Sequence, residues 1–131
     1  MFKFFSNYKI IFYFINCLLI FLYLYPGSLL GLIIHGNKKM QPQITPDFLI
    51  SSNHFYVFML ISIIGFLTFP KLKKNMFLIT YLIFLSVTLE IFHLAIPERS
   101  FQWSDLFGNL LGVIVVILFN NFINKYGRFK K

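Results

Sequence analysis

The chain has 131 residues, of which 58% are hydrophobic and only 12% charged. A water-soluble domain carries about a quarter of its residues charged, so most of this surface is suited to hydrocarbon. The net charge of +8 does not indicate nucleic acid: Lys and Arg fall in the gaps between apolar blocks, not in a stripe among exposed aromatics, and there they act as topology signals and contacts to anionic headgroups.

The first apolar block runs from about Ile10 to Tyr25, preceded by Lys3 and Lys9. No A-x-A-like cleavage site follows it, so it is expected to remain as a helix. Pro26-Gly27 should kink or end that helix, with a tail over Leu29 to Ile34. Cys17 is the only cysteine, which excludes an internal disulfide. Its setting, Ile15-Asn16-Cys17-Leu18, suggests an inert thiol buried in the helix.

Asn37 to Pro46 contains Pro42 and Pro46 and is expected to be a loop. The second block, His54 or Phe55 to Phe69, is closed by Pro70, and the third, Met76 to Ile96, by Pro97. The last runs from Leu106 to Phe122. Each approaches the roughly twenty residues that cross a bilayer, where the backbone must satisfy its own hydrogen bonds. The expectation is one all-α membrane domain, a bundle of about four transmembrane helices over about 9–30, 53–69, 76–96 and 105–123.

Positive charge sets the expected orientation. Lys3 and Lys9, then Lys71, Lys73 and Lys74, then Lys125, Arg128, Lys130 and Lys131 mark three segments. Only Lys38, Lys39 and Arg99 fall in the other two connections. The positive-inside rule therefore puts both termini in the cytoplasm, in a multi-pass protein of the cytoplasmic (inner) membrane. In that frame every acidic residue (Asp47, Glu90, Glu98, Asp105) and every histidine (His35, His54, His93) lies toward the outer side.

Glu90 is the most informative single residue, since an ionisable group inside an apolar block faces a partner or a cavity. Hydrogen bonding to His93, pairing with Arg99 and a direct functional role are all open to it. His93 shares its face at i, i+3. Ser104 or Asp105 suits an N-cap, with acid at the positive end of the helix dipole. Asn109 lies one turn beyond Asp105, and His54 opens the second helix near the same end. Gly108-x-x-x-Gly112 offers a small surface for close approach by another helix. Glu90-x-x-His93 has the spacing of di-iron carboxylate helices, but the second motif is missing. A mononuclear site with His54 and Asp105 can be drawn, yet no complete metal spacing, phosphate loop or nucleophile elbow is present. No cofactor or metal is expected.

These residues resemble the VanZ-like family of small bacterial membrane proteins. The resemblance runs from Pro26 through His54-Phe55 and Gly65-Phe66-Leu67 to Glu90. It continues in Pro97-Glu98-Arg99 and ends in Asp105-Leu106-Phe107-Gly108-Asn109 with Gly112. Ile50-Ser51 stands where the family has Asp-Lys, and His93 where it has Gln. The resemblance implies a bacterial cell-envelope protein linked to teicoplanin-type glycopeptide resistance. Its expected partners are membrane lipids and a lipid-linked wall precursor or glycopeptide. Two other readings stand beside it: a small intramembrane enzyme acting through Glu90, His93 and His54, and a structural subunit of a larger complex or homo-oligomer. A transporter fits least, because paired broken helices are lacking.

Overall fold

The structure, a computed structural model, describes the backbone of residues 2–70 and 72–127 and the side chains of residues 8–70 and 75–127. Among the described residues there are five helices and no strand: α1 (Phe2–Leu24), α2 (Leu29–His35), α3 (Ser52–Thr68), α4 (Leu72–Phe92) and α5 (Trp103–Gly127). The all-α expectation holds. By length and composition, however, fewer than four helices qualify as spans. Asn75–Phe92 of α4 and the whole of α5 are long and apolar enough. Helices α1 and α2 supply a third only if counted as one span across an 82° bend. Helix α3 is apolar but has 17 residues.

Helix ends differ from expectation for identifiable reasons. The first helix stops at Leu24 instead of continuing to about residue 30. Pro26 disfavours the α conformation in Tyr25, and Gly27 turns the chain at φ +75°, a region costly for a residue with a Cβ. Ser28 then caps α2, its Oγ accepting the Gly31 N–H at 3.0 Å. The third apolar block stops being α-helical at Phe92, not Ile96. There the N–H groups of His93, Leu94 and Ala95 bond carbonyls three residues back, the tightened winding common before a break. Helix α5 begins at Trp103, and the Gln102 carbonyl accepts from Leu106 N at 3.1 Å. Ser104 and Asp105 therefore lie in the first turn and are not the N-cap.

The core is built from one stripe of each long helix. Leu78, Leu82, Leu85 and Leu89 of α4 follow the spacing that keeps side chains on one face. They meet Phe12 and Leu19 of α1, Phe58, Ile61 and Phe66 of α3, and Val113 and Val116 of α5. Helix α3 is central, touching α1, α4 and α5, and its contact with α5 is the most extensive in the bundle. Glycine permits it: a Cβ on Gly108 would stand 2.7 Å from the Ser51 carbonyl oxygen, and one on Gly112 2.5 Å from that of Phe55. This contact runs in parallel, and the two helix starts are joined by Ser51 N donating to Ser104 O at 3.0 Å. The Gly108/Gly112 surface is thus covered by α3 and does not dock another protein.

Large apolar side chains also line the outside, including Phe14, Phe77, Phe84, Leu118 and Phe119. Cys17 is exposed on this outer face, which corrects the expectation of a buried thiol. Of the cations assigned to the inner side, the side chains of Lys9 and Lys125 are described. Lys71 and Arg128, Lys130 and Lys131 lie outside the described residues, as do the side chains of Lys3, Lys73 and Lys74.

Candidate functional site

Polar groups gather where α1 and α4 end and α3 and α5 begin. Glu90 and Asn109 have no exposed surface, and His54 and His93 almost none. Such burial is costly unless each group finds a partner. Asn109 Nδ2 donates to the Ser86 carbonyl at 3.1 Å, which fixes the direction of the amide. Its Oδ1 accepts from Tyr23 Oη at 2.9 Å and lies 3.0 Å from His54 Nδ1. Tyr23 Oη is itself 3.0 Å from His54 Nδ1. The other ring nitrogen of His54, Nε2, faces Asp105 Oδ2 at 3.5 Å.

The two oxygens of Glu90 face different neighbours. Its Oε1 accepts the Gln102 N–H at 2.9 Å, which ties the helix interior to the turn before α5. Its Oε2 lies 3.2 Å from His93 Nδ1, while His93 Nε2 donates to the Tyr23 carbonyl at 3.1 Å. The His93 ring stacks on Tyr23, with centroids 5.7 Å apart. Tyr23 therefore touches both histidines and Asn109.

Five residues singled out in the sequence (His54, Glu90, His93, Asp105 and Asn109) come together here. Arg99 behaves differently. Its Nε donates to Tyr25 O at 3.1 Å and a terminal nitrogen to Leu22 O at 3.0 Å. It caps the carbonyl end of α1, and it forms no ion pair with Glu90 among the described residues. Burial lowers its pKa, opposed by the nearby Tyr23, Asp105 and Glu90; a guanidinium stays charged regardless. Sequence reasoning missed Tyr23, Ser86 and Gln102. A tyrosine among apolar residues, a helical serine and a turn amide carry no signal of their own.

Two cavities open beside the cluster. One, of about 370 Å³, is polar and is lined by Lys38, Lys39, His93, Arg99, Gln102 and Asp105 among others. The second, of about 260 Å³, is mainly apolar, with Leu19, Leu22, Leu29, Leu30 and Val57 beside Tyr23 and His54. Ser28, Gln41 and Arg99 line both. The walls are held by the loop after α2: Lys38 pairs with Glu98 at 3.2 Å, and Glu98 adopts φ +63°, unusual for a residue other than glycine. Asp47 Oδ1 accepts from Ser52 N at 2.8 Å, and Asn53 Oδ1 from Ile44 N at 2.9 Å, binding the same loop to α3. No protein-family model, curated protein or solved structure matches this chain.

Proposed function

We propose that this chain is a VanZ-like integral protein of the bacterial cytoplasmic membrane. In this reading α1, α3, α4 and α5 cross the bilayer with both termini inside, and α2 lies along the outer interface. Its function is to handle an anionic lipid-linked or cell-wall component at the outer leaflet, with resistance to teicoplanin-type glycopeptides as one outcome. The observation that carries this is the meeting of two cavities at Arg99. Lys38, Lys39 and Arg99 offer charge to a phosphate-bearing headgroup, and the adjoining Leu-rich cavity suits the first carbons of a lipid tail. The exposed Leu30, Ile33 and Ile34 of α2 suit a short helix lying in the headgroup layer.

Deleting the gene and profiling both glycopeptide susceptibility and the pool of lipid-linked wall precursors tests this function. A changed precursor pool or susceptibility, restored by the wild-type gene but not by a Lys38→Gln/Lys39→Gln variant, is the expected result. No change in either readout would remove it. His93 and Asp105 on the wall of the polar cavity favour one alternative, an intramembrane enzyme using them as acid and base. In that case a His93→Gln protein would still bind the lipid but cease to convert it.

A further inference from the structure

Independently of what the cavities hold, His54, Glu90 and Asp105 converge from three helices. Each offers one nitrogen or oxygen, and the three atoms lie within 4.8 Å of one another. Donors about 2.0–2.2 Å from one metal ion stand roughly 3–4 Å apart, so a small inward movement of side chains is enough to share an ion.

Hydrogen bonding fixes which nitrogen of His54 is available. Asn109 Nδ2 is committed to the Ser86 carbonyl, so the atom facing His54 Nδ1 at 3.0 Å is Oδ1, a pure acceptor. His54 Nδ1 therefore carries the ring proton, and in the neutral ring the Nε2 lone pair points toward Asp105. Metal-bound histidines are held this way, with the distal N–H given to an oriented acceptor. The 3.5 Å between Nε2 and Asp105 Oδ2 is longer than a charge-assisted hydrogen bond.

A second observation points to a cation. Glu90 is wholly buried and its Oε2 accepts no hydrogen bond: His93 gives its Nε2 proton to the Tyr23 carbonyl, so in the neutral ring the Nδ1 that faces Oε2 at 3.2 Å is unprotonated. A buried carboxylate oxygen without a donor is costly. Arg99, the permanent cation in the turn, gives one N–H each to the Tyr25 and Leu22 carbonyls and forms no ion pair with Glu90 among the described residues. Two carboxylates and a neutral imidazole make a donor set of charge −2.

We propose that His54 Nε2, a Glu90 carboxylate oxygen and Asp105 Oδ2 bind one divalent first-row transition ion. The imidazole selects Zn²⁺ or a similar ion over Mg²⁺. Three protein ligands leave a coordination position open, as in sites that act on a ligand, and Asp105 also lines the polar cavity.

The test uses tag-free, chelator-stripped protein in detergent, dialysed against Zn²⁺. One equivalent per chain is expected, with a rise in thermal stability on loading. Asp105→Asn and His54→Gln should each weaken binding by at least about tenfold, and Asn109→Ala, acting through His54, by about ten- to a hundredfold. Circular dichroism establishes that each variant is folded. X-ray absorption of the Zn²⁺-loaded wild type needs no variant, and one imidazole with oxygen donors at about 2.0–2.2 Å is expected. Failure to retain Zn²⁺, equal retention by folded Asp105→Asn and His54→Gln, or a shell containing the Cys17 sulfur or only oxygen would overturn the site.

Discussion

Tyr23 shows how one hydroxyl can organise a buried polar site. Its Oη meets Asn109 and His54, its carbonyl accepts from His93, and its ring stacks on His93. Tyr23→Phe keeps the ring and carbonyl and removes only the hydroxyl, so the bundle should still fold. A hydrogen bond of this kind contributes about 0.5–1.5 kcal/mol, and inside membranes the average is nearer 0.6 kcal/mol. Thermal unfolding in detergent should therefore show a small loss of stability. A loss above about 3 kcal/mol would mean that the hydroxyl holds more than these two contacts. At this scale the sequence was partly legible. Glu90 stood out because acid within an apolar block is rare, and a polar partner does approach it. Tyr23 did not, since its polar atom is invisible in an aromatic-rich helix. The bonds of Arg99 were also illegible, because they go to backbone carbonyls that every residue possesses.

Among the elements, the α3–α5 contact is the one most exposed to a single change. Gly112 faces the backbone of Phe55 and Met59, which cannot rotate away as a side chain would. Gly112→Leu should therefore force the helices apart and cost at least the roughly 1–3 kcal/mol of ordinary overpacking. Lower expression and a lower melting temperature are expected; unchanged values for both would mean that the two helices do not meet at this glycine. The small-residue spacing was readable in advance, but its partner was not. The short turn between α4 and α5 favours contact between them, and they do touch, yet the larger surface of α5 is with α3. Prolines marked the breaks correctly, whereas helix ends shifted by several residues because tightened turns and caps decide them. The three atoms proposed as metal ligands come from separate helices; the sequence let such a site be drawn, but only the fold brings the atoms within 4.8 Å of one another.

For the whole molecule, composition sufficed to indicate helices with apolar exteriors, while orientation rests on charges that are mostly outside the described side chains. A cysteine pair tests it directly in a Cys17→Ser background. Asn37, in the loop after α2, and Lys125, in the last turn of α5, are both exposed, and the positive-inside rule assigns these two ends to opposite faces. In intact cells an impermeant thiol reagent should label Asn37→Cys and spare Lys125→Cys. The reverse pattern would invert the molecule and place the polar cavity on the cytoplasmic side.

The 17 residues of α3 amount to about 26 Å of helix, against a hydrocarbon layer of about 30 Å. If α3 crosses the membrane as proposed, the bilayer beside it relieves such hydrophobic mismatch by thinning locally. His54 lies in the first turn of α3, so the thinned rim would bring headgroups and water down to the level of the cluster. An amphiphile would then enter from the side, travelling less far than one extracted from an undisturbed leaflet. Reconstituted in vesicles of graded acyl-chain length, the protein should be most stable in the thinner bilayers and lose stability steadily as chains lengthen. A stability optimum in the thickest bilayers would show that α3 does not set the local membrane thickness.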